Sequence, residues 1–176
     1  VVLSGRYWPA HIKPMQDELL SSWLQRIAAG HGIKLQAFAR VVSADATVWN
    51  RDIDAHCRHE LISIVSRKTG VRQQEAFATT LRFYEGTMFD AVLLNDATPW
   101  LLPVGIYHRM RLRPGLQYCA SCLRQHGYVR RSWRLAAVFV CREHRRWLGT
   151  RCSVCASPFM PYRQELGDFT CSDATI

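Results

Sequence analysis

Metal-ligand spacing is concentrated in CREHRRWLGTRCSVC, residues 141–155, in the last third of the chain. This stretch contains four good metal ligands, namely Cys141, His144, Cys152 and Cys155. The C-x-x-C and C-x-x-H spacings let two side chains converge on one ion, and zinc takes four such ligands in a tetrahedron. The stretch therefore predicts metal binding, either at one site or at the meeting point of two sites.

A further C-x-x-C pair, Cys119 and Cys122, lies upstream of this stretch. Together with Cys141 and His144 it completes a Cys3His ligand set. Because protein side chains fill all four positions, none is left for an activated water, and we expect a structural zinc site. Such an ion contributes about 10–16 kcal/mol of apparent binding free energy, which a small module with little core needs.

A second ligand set is incomplete. Three cysteines remain for it, which are Cys152, Cys155 and Cys171. The position that would complete a second C-x-x-C pair is Ala174, so Asp173 is the candidate fourth ligand. A ligand beyond Ile176 and a vestigial site are the alternatives. We expect a second zinc ion at this set.

The sequence leaves open which of the ligand pairs share one ion. A sequential arrangement gives the first two pairs one ion, whereas a cross-braced arrangement joins the first pair to the third, as in RING-type ubiquitin ligases. The seven residues between His144 and Cys152 are too many for the cross-braced pattern. Cys57, with His56 and His59 beside it, is interpreted as a surface or half-buried cluster rather than a third metal site.

The basic charge is concentrated in the C-terminal part of the chain. Net charge is +9, and residues 105–176 contribute 12 arginines, no lysine and 4 acidic residues, a net +8. Arginine matches phosphate geometry better than lysine does, so this part predicts a polyanionic or acidic partner. A solvated basic surface without a target is the alternative. The candidate nucleic-acid-binding residues are Arg124, Arg130, Arg131, Arg142, Arg145, Arg146 and Arg151.

Two helices are predicted near the N-terminus. Residues 14–32, PMQDELLSSWLQRIAAGHG, carry an apolar helical face, with Pro14 and Asp17 marking the start and Gly30 or Gly32 the end. Residues 34–43 predict a second helix whose apolar face consists of Phe38, Val41 and Val42. Two short helices joined by a glycine-containing turn are compatible with a helix-turn-helix unit. Plain helix packing is the alternative.

Two more helices are predicted downstream. Trp49 is expected in the core, and Asp52 or Asp54 is expected to cap a helix over residues 55–69 that Gly70 ends. The inward residues of that helix are predicted to be Leu61, Ile62 and Val65. Residues 72–86 predict the second helix, with one face formed by Ala76, Phe77, Thr80, Leu81 and Tyr84.

The domain prediction follows from these patterns. Residues 87–104 contain two prolines and no clean period, so we expect an irregular segment with a boundary near residue 104. The predicted fold class is mainly α with small zinc-binding α+β modules. A helical, helix-turn-helix-like domain covers residues 1–104, and tandem zinc fingers cover 105–176, the first over 105–150 and the second over 151–176.

Several function classes are disfavoured by the sequence. Its longest apolar run, LAAVFVC, is far shorter than the roughly 18 residues that a bilayer requires, and the N-terminus lacks a signal-peptide pattern. Six of the seven cysteines lie in the last third, mostly in ligand spacing, which favours metal binding in a reducing cytoplasm. The sequence contains no nucleotide-binding, hydrolase, zinc-protease or deaminase motif, so we do not expect an enzyme.

Four segments stand out in combination: PMQDELLSSWLQRIA (14–28), WNRDID (49–54), TGV…TLRFYEG (69–86) and LQYCASCLRQ…YVRRSWRLAAVFVCREHRRWL…RCSVCASPF (116–159). Together they resemble the TniQ/TnsD-type target-selection proteins of bacterial transposons. The resemblance covers about residues 9 to 160. Its most specific part is the cysteine-rich segment with Trp133 and Arg134 between the ligand pairs.

The resemblance implies a non-enzymatic adaptor in transposition and DNA integration. Such proteins recognise the insertion site through DNA or by docking on an RNA-guided CRISPR effector, and then recruit an AAA+ ATPase. It also implies that the two ligand sets belong to sequential zinc fingers. Ala174 departs from the second C-x-x-C of many relatives, which puts the second site in doubt but not the family. Long members carry a further C-terminal DNA-binding region, which we do not expect within residues 1–176.

The expected partners are therefore the transposon ATPase, DNA and a CRISPR effector with its guide RNA, in the bacterial cytoplasm and associated with the nucleoid. No membrane partner is expected, and a homodimer is compatible with the sequence. An autonomous zinc-dependent DNA-binding regulator is the alternative function. An enzyme of RING type or a metal hydrolase is a third, less favoured hypothesis.

Overall fold

The computed structural model describes residues 5–42, 52–93, 96–104 and 116–159 of the chain. These residues form a mainly helical structure with one small antiparallel sheet. The α-helices are α1 Leu20–Gly30, α2 Leu35–Val42, α3 Ile53–His56, α4 His59–Thr69, α5 Gln73–Phe77 and α6 Ala120–His126. Two 3-10 helices cover Leu81–Tyr84 and Arg131–Arg134. Strands β1 Val140–Cys141 and β2 Arg146–Trp147 pair antiparallel, with Val140 opposite Trp147 and Cys141 opposite Arg146.

The first hydrophobic core lies among helices α1 to α5. Its largest buried side chains are Trp8, Trp23 and Phe38, and the Trp8 and Phe38 rings meet edge to face at 5.0 Å. The indole Nε1 of Trp23 donates a hydrogen bond of 2.9 Å to the Ile12 carbonyl. Residues that precede α1, such as Trp8 and Ile12, therefore contribute to this core.

Helix α1 begins later than the sequence predicts. Neither Pro14 nor Asp17 starts it; the helix begins at Leu20, and Asp17 has a φ of 59°. Glu18 and Leu19 are extended because they pair with the cysteine-rich part of the chain. Glu18 forms a β-bridge with Arg130, and the Leu19 amide donates to the Val129 carbonyl at 2.9 Å. Tertiary pairing thus overrides the local helix preference.

Helix α2 confirms two of its three predicted inward residues. Phe38 and Val42 are buried, but Val41 is 51% exposed, so its assignment to the apolar face is wrong. Leu35 and Ala39 complete the buried face instead. The face follows the i, i+3, i+4, i+7 spacing, which excludes Val41.

The predicted helix over residues 55–69 is divided into α3 and α4. Cys57 and Arg58 between them are extended, with ψ values of 129° and 146°. Asp52 caps α3, because its side chain accepts from the Asp54 amide, as one of the two predicted alternatives states. The inward prediction for α4 is confirmed, since Leu61, Ile62 and Val65 are all buried. Gly70 ends α4 with a φ of 71°.

The predicted helix over residues 72–86 is also interrupted. Helix α5 ends at Phe77, and the 3-10 helix begins only at Leu81. Between them the hydroxyls of Thr79 and Thr80 donate to the Ala76 and Phe77 carbonyls at 2.7 and 2.8 Å. These side chains compete with backbone amides for the carbonyls, which favours a turn.

A second hydrophobic core connects the helical part with the cysteine-rich part. It includes Leu19, Ala55 and Leu81 on one side and Leu116 and Trp133 on the other. Both sides of the predicted boundary near residue 104 therefore contribute to one cluster, and the boundary itself stays a prediction. Residues 87–93 and 96–104 contain neither helix nor strand, in agreement with the predicted irregular segment. Trp49 lies outside the described residues.

Within the parts of the chain that the structure describes, no helix has the length and apolar character needed to cross a membrane.

Candidate metal centre and basic hairpin

Two short elements position the first ligand set. Cys119 precedes helix α6 at its N-cap and Cys122 lies in its first turn, so both thiols point to the same side. Cys141 ends strand β1, and His144 lies in the turn that leads to β2. The Arg145 amide closes that turn by donating to the Cys141 carbonyl at 2.8 Å. Helix α6 and the β1–β2 hairpin thereby bring Cys119 and Cys122 close to Cys141 and His144.

The four ligand atoms form a compact cluster. All of them lie within 4.8 Å of one another, and the three cysteines are buried. The Cys122 and Cys141 sulfurs are 3.5 Å apart, and His144 Nδ1 lies 3.3 Å from the Cys122 sulfur. The distances from His144 Nδ1 to the Cys119 and Cys141 sulfurs are both 3.7 Å. This arrangement could hold a metal ion, as the sequence predicts.

The cluster gives its thiols unequal proton affinities. Burial, together with the neighbouring thiols, raises the pKa of Cys122. Burial also acts to raise the pKa of Cys141, but hydrogen bonds from the backbone and ring of His144 outweigh it and lower that pKa to about 7. The His144 amide lies 3.4 Å from the Cys141 sulfur. Donors that favour a thiolate suit a metal ligand, because the thiolate is the coordinating form.

Glu143 contacts the cluster from outside and was not among the residues predicted from the sequence. One carboxylate oxygen lies 2.7 Å from His126 Nε2, and the other is 2.6 Å from Arg130 Nη2 and 3.7 Å from the Cys122 sulfur. The hydrogen bond from His126 lowers the pKa of Glu143. Cys122, His126 and Glu143 thus form a second group with metal-ligand geometry that shares a cysteine with the first. The sequence signal was the acid next to His144.

The seven predicted nucleic-acid-binding arginines fall into two groups. Arg130 pairs with Glu143, and Arg131 lies 3.5 Å from an Asp17 carboxylate oxygen and 4.0 Å from the centre of the Phe83 ring. The remaining five are exposed on the surface: Arg124, Arg142, Arg145, Arg146 and Arg151. Two of these make polar contacts, from Arg146 to the Ser121 hydroxyl at 3.2 Å and from Arg151 to the Ala156 carbonyl at 2.9 Å.

Cys152 and Cys155, which belong to the second ligand set, lie in a turn of their own. The Cys152 amide donates to the Ser157 carbonyl at 2.8 Å, and the Ala156 amide donates to the Cys152 carbonyl at 3.0 Å. Cys152 and Cys155 are half-buried. Cys171 and Asp173 lie outside the described residues, so the second zinc ion stays a prediction.

A buried ion pair network joins the helical part to this region. Arg134 is 1% exposed and forms a fork with Asp52. Its Nη1 lies 3.1 Å from Asp52 Oδ1 and 3.5 Å from Asp54 Oδ2, and its Nε donates to the Leu102 carbonyl at 3.1 Å. Nothing in the local sequence indicates this ion pair, since Asp52 lies 82 positions before Arg134.

These features define a mainly helical protein with a Cys/His cluster that could hold a metal ion. The TniQ family model matches residues 9–148. The chain belongs to the TniQ family, as the resemblance in its sequence indicates. The family associates it with transposition and is known as a non-catalytic targeting domain. Comparison with curated proteins finds no match.

Proposed function

We propose that the chain is a non-enzymatic targeting adaptor that links target-site recognition to the AAA+ ATPase of a transposon. The observation that carries the proposal is a set of exposed arginines on a hairpin anchored by the Cys/His cluster, in a member of the TniQ family. Target recognition would proceed through DNA or through a CRISPR effector with its guide RNA. Both offer phosphates, which exposed arginines bind.

Zinc is the metal we propose for the first site. A tetrahedron with Zn–S bonds of about 2.3 Å and Zn–N bonds of about 2.1 Å has S–S edges of about 3.8 Å and S–N edges of about 3.6 Å. The Cys122–Cys141 distance of 3.5 Å and the His144–sulfur distances of 3.3 to 3.7 Å are close to these edges. Cys119, Cys122, Cys141 and His144 would hold the ion, which would supply folding stability rather than catalysis.

We also propose that α1 and α2 form the helix-turn-helix unit of a domain over residues 1–104. The support is a short connection, residues 31–34, and a second helix with an exposed polar edge that includes Gln36 and Arg40. Residues 105–176 would form the tandem zinc fingers, and Cys171 with Asp173 would complete the second site.

The adaptor role is tested by a binding experiment with purified components. The chain is immobilised and offered the AAA+ ATPase of its own transposon, with and without nuclease treatment. ATPase retention after nuclease treatment supports the adaptor, because the contact is then independent of nucleic acid. ATPase binding that disappears with the nucleic acid contradicts it.

An autonomous zinc-dependent DNA-binding regulator is the second candidate. It is favoured by the same exposed arginines, because they would suffice for duplex binding without any protein partner. A binding site selected from random duplex DNA by the chain alone would support the regulator. An enzyme is tested by replacing zinc with cadmium: a structural site keeps its fold, whereas catalysis should be lost.

A further inference from the structure

An exposed pair of stacked aromatic rings lies on the hairpin of the metal cluster. The Phe139 and Trp147 ring centres are 5.5 Å apart, and their planes differ by 23°. Phe139 is 53% exposed and Trp147 is 75% exposed, the largest exposure of any aromatic residue in the described ranges. Rings of this size are normally buried, so a solvent-facing pair indicates a contact surface.

Backbone hydrogen bonds join the two segments that carry these rings. Val140 is opposite Trp147 in the sheet, and the Leu148 amide donates to the Phe139 carbonyl at 2.9 Å. Cys141, next along the strand, is a ligand of the candidate metal site. The two rings are therefore presented on a short, fixed hairpin rather than on a loop.

Three arginines without an ion pair in the described ranges lie in the same hairpin as the rings. Arg142, Arg145 and Arg146 lie in the same hairpin and are exposed, and none of them forms an ion pair with any described residue. Glu143 is the single acidic residue between positions 116 and 159, and His126 and Arg130 already bind both of its oxygens. The charge on this surface is thus available to an anionic partner.

We propose that this aromatic–arginine surface binds an unpaired segment of nucleic acid, with a base stacked on the Trp147–Phe139 pair and the flanking phosphates on Arg142 and Arg145. The inference deepens the nucleic-acid contact of the proposed function and rests on it. It adds the two aromatic residues to the arginines and names the class of ligand as single-stranded.

An unpaired strand fits this surface better than a duplex does. In a duplex both faces of each base are covered by neighbouring bases, so an aromatic ring gains contact only with a base that has left the stack. A flat ring pair with arginines beside it is the combination that single-strand-binding proteins use. Apart from the two rings, Val140 is the one exposed large apolar residue of the hairpin, so its apolar surface is confined to these three side chains.

The experiment measures binding of the full, metal-loaded chain to a labelled oligothymidylate and to a labelled duplex of equal length, by fluorescence anisotropy. The wild-type chain should prefer the single strand. Trp147→Ala should weaken single-strand binding by about 5-fold to 150-fold, the range for one stacked base, and leave duplex binding nearly unchanged. Trp147→Phe should restore most of the affinity, because it keeps a stacking ring.

Two matched variants complete the design. Trp100→Ala removes another exposed indole, 60% exposed, that lies outside the hairpin, and should change neither affinity. Arg145→Gln should lower the salt dependence of single-strand binding, with a slope change of about 0.7 for one phosphate contact. Arg67→Gln, an exposed arginine on α4, should leave the slope unchanged.

The outcomes separate this inference from the proposed function. Equal binding of single strand and duplex, or equal loss from Trp147→Ala on both, overturns the stacking surface but leaves a nucleic-acid contact. Absence of nucleic-acid binding, with Trp147→Ala instead abolishing retention of the purified ATPase, assigns the surface to a protein partner. That result overturns the inference and leaves the adaptor function intact.

Discussion

The guanidinium of Arg134 and the carboxylate of Asp52 form a bidentate ion pair that connects the helical part of the chain with the cysteine-rich part. Nη1 donates to Asp52 Oδ1 at 3.1 Å, Nη2 donates to Oδ2, and Asp54 lies on the same guanidinium at 3.5 Å. Arg134 is 1% exposed and the Asp54 side chain is fully buried. The pair therefore links helix α3 to the segment between the two halves of the metal cluster.

Removing this guanidinium should destabilise the whole molecule. Arg134→Ala leaves two carboxylates buried without their cation, which costs about 3–5 kcal/mol of unfolding free energy. Arg134→Lys should recover only part of this loss, because an ammonium cannot make the paired contact. Urea unfolding followed by circular dichroism measures both. Arg124→Ala, at an exposed arginine on α6, serves as the control and should change stability by less than about 0.5 kcal/mol.

The same network should make stability depend on pH. Burial and the negative charge of Asp52 raise the pKa of Asp54 from 3.8 to about 6, although Arg134 opposes them. An acid with a raised folded pKa contributes stability that is present below its unfolded pKa and is lost as pH rises through the folded value. Asp54→Asn, which stays neutral, should therefore gain stability relative to the wild type between pH 5 and pH 7.

The measurement is a pair of urea unfolding series at pH 5, 6 and 7, with zinc present throughout. The difference in unfolding free energy between variant and wild type reports on Asp54 alone, because the other titrating groups are common to both proteins. These groups include Glu18, whose pKa is also raised by burial. Parallel pH curves for variant and wild type would show that Asp54 does not titrate in this range. The ion pair with Arg134 lowers the pKa of Asp52 in spite of burial. The stability that Asp52 contributes therefore has the opposite pH dependence and is lost as pH falls.

Metal content should depend on the first ligand set. Cys122→Ser should reduce bound zinc by one equivalent per chain, because its sulfur lies within 3.5 Å of both Cys141 and His144 ligand atoms. Elemental analysis of purified protein measures this directly. Cys57→Ala removes another buried cysteine, outside the cluster, and should retain all of the metal. Unchanged zinc in Cys122→Ser, or zinc loss in Cys57→Ala, would refute the assignment.

Helix α6 should require glycine at its C-cap. Gly127 has a φ of 69°, and a Cβ there would meet nothing within 4 Å, so the cost of Gly127→Ala is backbone strain alone. That strain is about 1–2 kcal/mol, and Gly127→Asn should cost less. Gly149→Ala is a suitable comparison, since its φ lies outside the left-handed region and a Cβ would touch the Tyr118 ring at 3.4 Å. A larger thermal shift for Gly149→Ala than for Gly127→Ala would contradict this explanation.

Local spacing was sufficient to predict the ligand set and most of the apolar faces. The i, i+3 separation of Cys119 from Cys122 and of Cys141 from His144 places each pair on one side of a short element, whatever surrounds it. The apolar period of α4 likewise places Leu61, Ile62 and Val65 inward. These properties depend only on neighbours along the chain.

Helix boundaries and ion pairs could not be predicted in this way. Glu18 is a good residue for a first helical turn, yet it is extended because it pairs with Arg130 from the cysteine-rich part. Arg131 lies 3.5 Å from Asp17, a residue 114 positions earlier, and its contact with nucleic acid stays a prediction. Such contacts depend on which distant segments the fold brings together, and nothing in the local pattern encodes that choice.

Residue types and their spacing were enough to indicate the family, the Cys/His cluster that could hold a metal ion and the excess of arginine. The contacts of those arginines depend on the tertiary structure. It buries Arg134 against two aspartates, pairs Arg130 and Arg131 with acidic residues, and leaves the arginines of the hairpin exposed. The reason is physical: a guanidinium is either paired by an acid within reach or solvated, and reach is a property of the folded chain.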